Sequence, residues 1–234
     1  MGEEMAQEFR SVVAKLALRK RELGAIILTG SGKAFSAGGD LAMLDAKRAL
    51  STEENRIRMR EFYEAFLGIR DLEVPLIAAI QGPAIGAGMC LATACDLRVA
   101  SETATLGFTF VRLGLHPGMG ATYFLPRVVG VAAAGELLLT GRVISAAEAY
   151  RLGLVSEVTK PDETLPAAER LAQEIMRGGP ECIRQLLGSL RAGPTSLEES
   201  LEREARTQAM NYGSKEFAAG LSAVREKRAV QFRS

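Results

Sequence analysis

The chain has 234 residues, 47% hydrophobic and 24% charged, enough for one sizeable core and too apolar for intrinsic disorder. With 29 basic and 28 acidic residues the formal net charge is +1, which leaves no electrostatic footprint for nucleic acid. No Trp and only four Tyr argue against a groove that stacks single-stranded bases.

Along the chain, Val12, Val13, Leu16 and Leu18 recur among charges and predict an amphipathic helix over residues 5–22, stopped by Gly24. The polar, acidic residues before it do not read as a signal peptide. Ala25 to Thr29 is a short β-branched run, predicted as a buried strand. A glycine-rich loop, Thr29-Gly-Ser-Gly-Lys-Ala-Phe-Ser-Ala-Gly-Gly-Asp40, follows it. Asp40 is placed to cap a helix running to about Leu50. Ser51 with Glu54 forms a capping-box pattern for a longer helix to about Arg70, broken at Val74-Pro75.

Leu76 to Ile80 is the next predicted strand. Glycines 82, 86 and 88 then lead into a helix of small apolar residues ending near Cys95. Leu97 to Ala100 reads as a third strand, and residues 114–120 as a Pro/Gly loop. Short helices are expected over 121–129 and 132–139, a second capping signal at Ser145 with Glu148, and a strand over 154–158. Beyond Pro161 the pattern is helical only, over roughly 163–177, 181–191, 197–211 and 215–228, with stops at Gly178, Gly193 and Gly213. Alternating helices and strands predict an α/β core with a parallel sheet over residues 1–160 and a helical region over 161–234. There is no internal repeat.

Several motifs fail on chemistry. The uncharged stretch from Val74 to Cys95 contains Pro75, Gln81, Pro83 and clustered glycines, so it reads as strand, turn and helix, and no membrane partner is expected. Gly30-Ser-Gly-Lys33 lacks the upstream Gly of a phosphate-binding loop and has Ala34 where a magnesium-binding hydroxyl belongs. The glycines at 82–88 do not have dinucleotide-binding spacing. His116 is the only histidine, so no metal-ligand set is available and a Ser-His-Asp triad would have to use it. Cys90, Cys95 and Cys182 read as reduced thiols of a cytoplasmic protein.

What does hold is the pair of strand–loop–helix junctions. A helix start carries unpaired N–H groups and partial positive charge. Glycines at both junctions leave the backbone open, so each can offer one N–H to a single anionic oxygen.

Ala34-Phe-Ser-Ala-Gly-Gly-Asp-Leu41, Gly82-Pro-Ala-Ile-Gly-Ala-Gly-Met89 and Cys95-Asp-Leu-Arg-Val-Ala-Ser101 resemble the enoyl-CoA hydratase/isomerase (crotonase) superfamily. So do Gly114-Leu-His-Pro-Gly-Met-Gly120, Leu139-Thr-Gly-Arg-Val-Ile-Ser-Ala-Ala-Glu-Ala149 and Gly153-Leu-Val155. The resemblance implies a spiral of ββα units with a C-terminal helical trimerisation region, and a homotrimer or hexamer. It implies an acyl-CoA substrate, with no cofactor besides the coenzyme A of that substrate. The oxyanion-hole donors carried over are the amides of Gly39 and Ala87. Ala37, Asp40, Leu41, Ala42 and Gly86 would line the coenzyme A path, and the region of Phe217 and Lys227 would reach the nucleotide.

The pattern departs from a hydratase where chemistry is concerned. Alignment on Cys95-Asp96 and Leu113-Gly114 puts Cys90 and Phe110 where hydratases of this family carry two glutamates. Neither side chain does carboxylate acid–base work at neutral pH. Gly118 stands where the hydrolase branch has an acid, although Tyr123-Phe-Leu-Pro-Arg127 resembles that branch. Family members usually have a β-hairpin before the first helix; this chain begins at or near that helix. Cys90 is expected as a buried small residue, Phe110 as a wall of the acyl pocket, Asp96 as a backbone anchor and Arg112 as a surface ion-pairing group. His116, of the residue type that titrates near neutrality, is a candidate substitute acid–base. The function expected is acyl-CoA thioester processing through enolate stabilisation. The alternatives are a catalytically impaired acyl-CoA-binding or structural homologue, and a thioester hydrolase.

Overall fold

The computed structural model describes residues 1–193 and 196–232. Its centre is a four-stranded, fully parallel sheet in the order β1 (Ile26–Thr29), β2 (Leu76–Ile80), β4 (Leu97–Ser101), β7 (Glu157–Thr159). Every residue of β2 is buried, as a central parallel strand covered on both faces must be. A smaller sheet pairs β3 (Ala84–Ile85) with β5 (Thr105–Gly107) in parallel and β5 with β6 (Val143–Ser145) antiparallel. These three short strands are not among the sequence expectations; at two or three residues each they carry no period to read.

The helices follow the sequence closely. α1 (Glu3–Ala17) is shorter than expected, because the Arg19-Lys20-Arg21 run turns back on Leu16 and Ala17 carbonyls. Asp40 caps α2 (Leu41–Ala46), its Oδ1 accepting from Met43 N at 2.8 Å. α3 (Thr52–Leu67) starts on a complete capping box between Ser51 and Glu54. α4 (Ala87–Ala94) is the small-residue helix, and α5 (Ala121–Thr140) is two helical pieces joined at Gly130, whose φ of 79° and ψ of 161° are not helical. α5 has the length and hydropathy of a membrane span, but the break leaves each piece far short of the roughly 20 residues a bilayer needs.

At α6 (Ala146–Arg151) only half of the expected capping box forms. Ser145 Oγ accepts from Glu148 N, whereas the Glu148 carboxylate pairs with Arg142 at 2.6 Å. The last strand lies at 157–159, later than expected, because Gly153 and Leu154 turn back onto Tyr150 and Ala149.

α7 (Thr164–Met176), α8 (Pro180–Ala192), α9 (Leu197–Tyr212) and α10 (Lys215–Arg225) complete the chain. α7 covers the sheet: Ala168 and Ala172 pack with Ile77 and Ala79 in a second core cluster. The main cluster lies between the two sheets and α1, α3, α4 and α5, and includes Phe62, Phe66, Met89, Leu106, Phe108, Leu125 and Leu137. Asp96 anchors backbone as expected, its Oδ2 accepting from Leu76 N at 2.8 Å. It also holds α8: Arg191 donates from Nη2 to Oδ2 at 2.7 Å and from Nε to Oδ1 at 2.9 Å.

Candidate functional site

The two glycine-rich loops lie against each other, and missing side chains make this possible. A Cβ on Gly82 would overlap the Lys33 carbonyl oxygen. One on Gly88 would overlap the Ser36 side chain, and one on Gly38 would sit 2.9 Å from Ile85 O and 3.8 Å from Gly86 Cα. Gly38 and Gly86 also have φ of 95° and 55°, a region that favours glycine. Backbone bonds complete the seam: Ser36 N donates to Pro83 O at 3.0 Å and Ile85 N to Ser36 O at 2.9 Å.

Within this seam some amides are engaged and others are open. In the first loop Gly38 N donates to Ser36 Oγ and Asp40 N to Met1 O. In the second, Gly86 N donates to Gly107 O at 2.8 Å, and the first helical bond of α4 runs from Cys90 N to Gly86 O. Among the described residues the N–H groups of Ala37 and Gly39 in the first loop, and of Ala87, Gly88 and Met89 at the start of α4, have no acceptor. Of these, Gly39 and Ala87 directly follow Gly38 and Gly86, the two glycines whose bare Cα atoms face each other across the seam.

α4 is built to present such an N-terminus. All eight of its residues are buried, so its backbone ends must find partners within the protein. At the C-terminal end Arg98 donates to Cys95 O at 2.6 Å and Thr93 O at 3.4 Å, and Arg70 donates to Ala94 O. Two cations therefore sit at the negative end of the helix dipole, while the positive end faces the loop seam.

The structure places the other candidates as follows. Gly86 is buried in the seam; Ala37, Asp40, Leu41 and Ala42 lie on the exposed rim beside it. Asp40 is taken up as the cap of α2. Cys90 is completely buried on α4, and burial pushes its thiol far above the usual range; Cys95, also buried, is pushed up to about 12. Phe110 is half-buried in the short helical turn 109–113 and packs on the core. His116 lies on the exposed loop, with Nδ1 2.8 Å from Pro117 O. Arg112 is exposed and bonds Thr140 O at 3.3 Å, a backbone contact where an ion pair was expected. The Tyr123–Arg127 segment is locally structural: the Arg127 guanidinium stacks 3.5 Å over the Tyr123 ring and donates to Tyr123 O. Phe217 and Lys227 sit on or after α10; Phe217 is part-exposed and meets the Tyr212 ring edge-to-face.

Tyr63 was not foreseen. It reaches from α3 to Gly118, and burial raises the pKa of its phenol. Within α3 it looks like any half-buried aromatic, and only the empty position at 118 could have flagged it.

The enoyl-CoA hydratase/isomerase family model matches residues 1–234. The crotonyl-CoA hydratase of Syntrophomonas wolfei is 36% identical over 209 residues, covering 88% of this chain and 79% of the relative. Among solved structures, an enoyl-CoA hydratase from Polaromonas superposes with a TM-score of 0.90 at 30% identity, covering 97% of this chain and 89% of that one. An enoyl-CoA hydratase from Bacillus anthracis gives 0.86 at 33% identity, covering 95% and 87%.

Proposed function

This chain belongs to the enoyl-CoA hydratase/isomerase family, and from that premise we propose that it holds the thioester oxygen of an acyl-CoA between the amides of Gly39 and Ala87. The observation that carries this reading is that each of the facing glycines, Gly38 and Gly86, is followed by an N–H without an acceptor. Negative charge grows on the thioester oxygen as an enolate forms. Fixed donors, one of them at the positive end of a buried helix, meet that charge without reorganising. The exposed rim of Ala37, Asp40, Leu41 and Ala42 is the path for the coenzyme A arm, with Gly86 at its inner end.

Carboxylate-driven hydration is not part of this reading. Cys90 and Phe110 occupy the positions where the family's hydratases carry glutamates, and burial holds the Cys90 thiol protonated. The chemistry that remains is enolate stabilisation for isomerisation or a related step on the acyl chain. His116 is a secondary candidate for proton transfer; its exposed loop and its contact with Pro117 O leave it available to solvent.

The assembly we propose is a homotrimer. Leu190, Leu197, Leu201, Met210 and Val224 on α8, α9 and α10 are exposed, and such apolar surface marks an interface. Light scattering tests this directly: a monomeric mass would contradict it.

The test of function pairs binding with turnover. Butyryl-CoA should bind, and crotonyl-CoA should be hydrated far more slowly than by glutamate-bearing relatives. Ala87→Pro removes one donor at the first helical position, where proline is tolerated, so the fold should survive while activity is lost. Unchanged activity in that variant would refute the donor assignment, and rapid hydration would refute the role given to Cys90 and Phe110.

A further inference from the structure

Gly86 faces a second group besides Gly38. A Cβ built on it would lie 4.0 Å from Gly38 Cα and 4.0 Å from Thr109 Oγ1. Gly86 immediately precedes Ala87, so the Thr109 hydroxyl borders the backbone that carries one of the two donors. Thr109 opens the short helical turn 109–113, which also carries Phe110.

The neighbours of Thr109 set the direction of its hydroxyl. Gly107 leaves room for the threonine methyl: a Cβ there would sit 3.3 Å from Thr109 Cγ2 and 2.9 Å from Val143 Cγ2. With the methyl against Gly107, the other branch turns to Gly86, and a β-branched side chain is stiff at this torsion. Gly107 O in turn accepts from Gly86 N at 2.8 Å, so the strand that seats the methyl is bonded to the loop the hydroxyl faces. Phe108, which is 1% exposed, and Phe110, packed on the core, hold the turn from either side.

The hydroxyl itself is uncommitted. Among the described residues it has no hydrogen-bond partner. It is not sealed away either: among those residues the buried side-chain polar atom without a partner is Asn55 Oδ1. A hydroxyl both donates and accepts, whereas a thioester oxygen only accepts, so between the two the hydroxyl must donate.

We propose that Thr109 is a further residue of the substrate site, its hydroxyl donating a third hydrogen bond to the thioester oxygen held by the Gly39 and Ala87 amides. This rests on the acyl-CoA reading above and adds a side-chain donor to its two amides. A donor fixed before the ester arrives meets the growing enolate charge without reorganising.

Difference infrared spectra of butyryl-CoA, isotopically labelled at the thioester carbonyl and bound to the full chain, read the hydrogen bonds on that oxygen. The carbonyl stretch should fall below that of the free ester. Thr109→Val keeps the shape without the hydroxyl; it should give back part of the downshift and weaken binding about fivefold, the worth of one neutral hydrogen bond. Thr109→Ser should recover most of both. Because the hydroxyl has no partner within the described protein, Thr109→Val should not lower the melting temperature. A downshift and affinity that Thr109→Val leaves intact, a serine variant that fails as valine does, or a lower melting temperature in Thr109→Val would overturn the proposal. Ala87→Pro separates it from the reading beneath it. A downshift lost in Ala87→Pro and kept in Thr109→Val rejects the third donor alone. An unmodified protein that leaves the carbonyl at its free frequency, or does not bind the ester, rejects the acyl-CoA reading and the role of Thr109 with it.

Discussion

α4 and α9 are extremes of one chain. Every residue of α4 is buried and not one residue of α9 is, although α9 is twice as long at 16 residues. α4 is made of Ala, Gly, Cys, Met, Leu and Thr; α9 carries four glutamates and two arginines and still exposes Leu197, Leu201 and Met210. The core helix is fixed by close approach, with glycines that admit neighbouring backbone and arginines that complete its carbonyl end. The C-terminal helices are held by fewer, polar ties. Arg191 reaches Asp96, Glu216 accepts from Glu181 N at the start of α8, and Asn211 bonds Gln185. One region is set by what cannot be enlarged, the other by what can be unlatched.

Enlarging the first region should do the most damage. Gly82→Val would drive a side chain into the Lys33 backbone, which cannot move aside, and should cost about 3 kcal/mol or more in urea unfolding. A cost under 1 kcal/mol would show the seam to be looser than described. Unlatching the second region comes next. Arg191→Ala removes the guanidinium that bonds Asp96 and the carbonyls of Arg70 and Val74, leaving Asp96 only its longer pairing with Arg70, and should cost about 2 kcal/mol. It should also speed proteolysis within α8–α10 while the sheet core stays protected; uniform cleavage would erase the distinction between the regions.

A pH effect sharpens the comparison further. Burial raises the Cys90 and Cys95 thiols, Cys95 to about 12. In the unfolded chain thiols ionise near their reference value of about 8.5, so the unfolded state loses these protons first. Their contribution is complete below that value and is lost progressively as pH rises from there towards about 12. Cys90→Ala/Cys95→Ala should flatten that alkaline slope in denaturant titrations, and an unchanged slope would remove the buried thiols from the account. The smallest effect is expected at Leu197→Ser, within about 0.5 kcal/mol for the single chain, because the residue is 76% exposed. Its consequence should appear as a shift towards smaller species in light scattering.

Most of the fold was legible because its signals are local. Capping residues Asp40, Ser51 and Ser145 and the stop at Gly193 mark helix ends that the structure reproduces, and Leu76–Ile80 announces a central strand by composition alone. The break at Gly130 was legible too, since two short helices were expected around it. The strands at 84–85, 105–107 and 143–145 were not, because their partners lie far along the chain and each is too short to show alternation. The loop junctions could be read from glycine spacing, but their contact could not; it depends on which atoms face Gly38, Gly82 and Gly88. Arg191 stayed hidden as an ordinary charge on α8 until the fold brought it to Asp96, 95 residues away.

A crystal structure of the full chain with butyryl-CoA is the most direct measurement. A thioester oxygen within about 3.1 Å of both the Gly39 and Ala87 nitrogens is the predicted result. An ester bound with that oxygen on only one of these amides, or on neither, would contradict it.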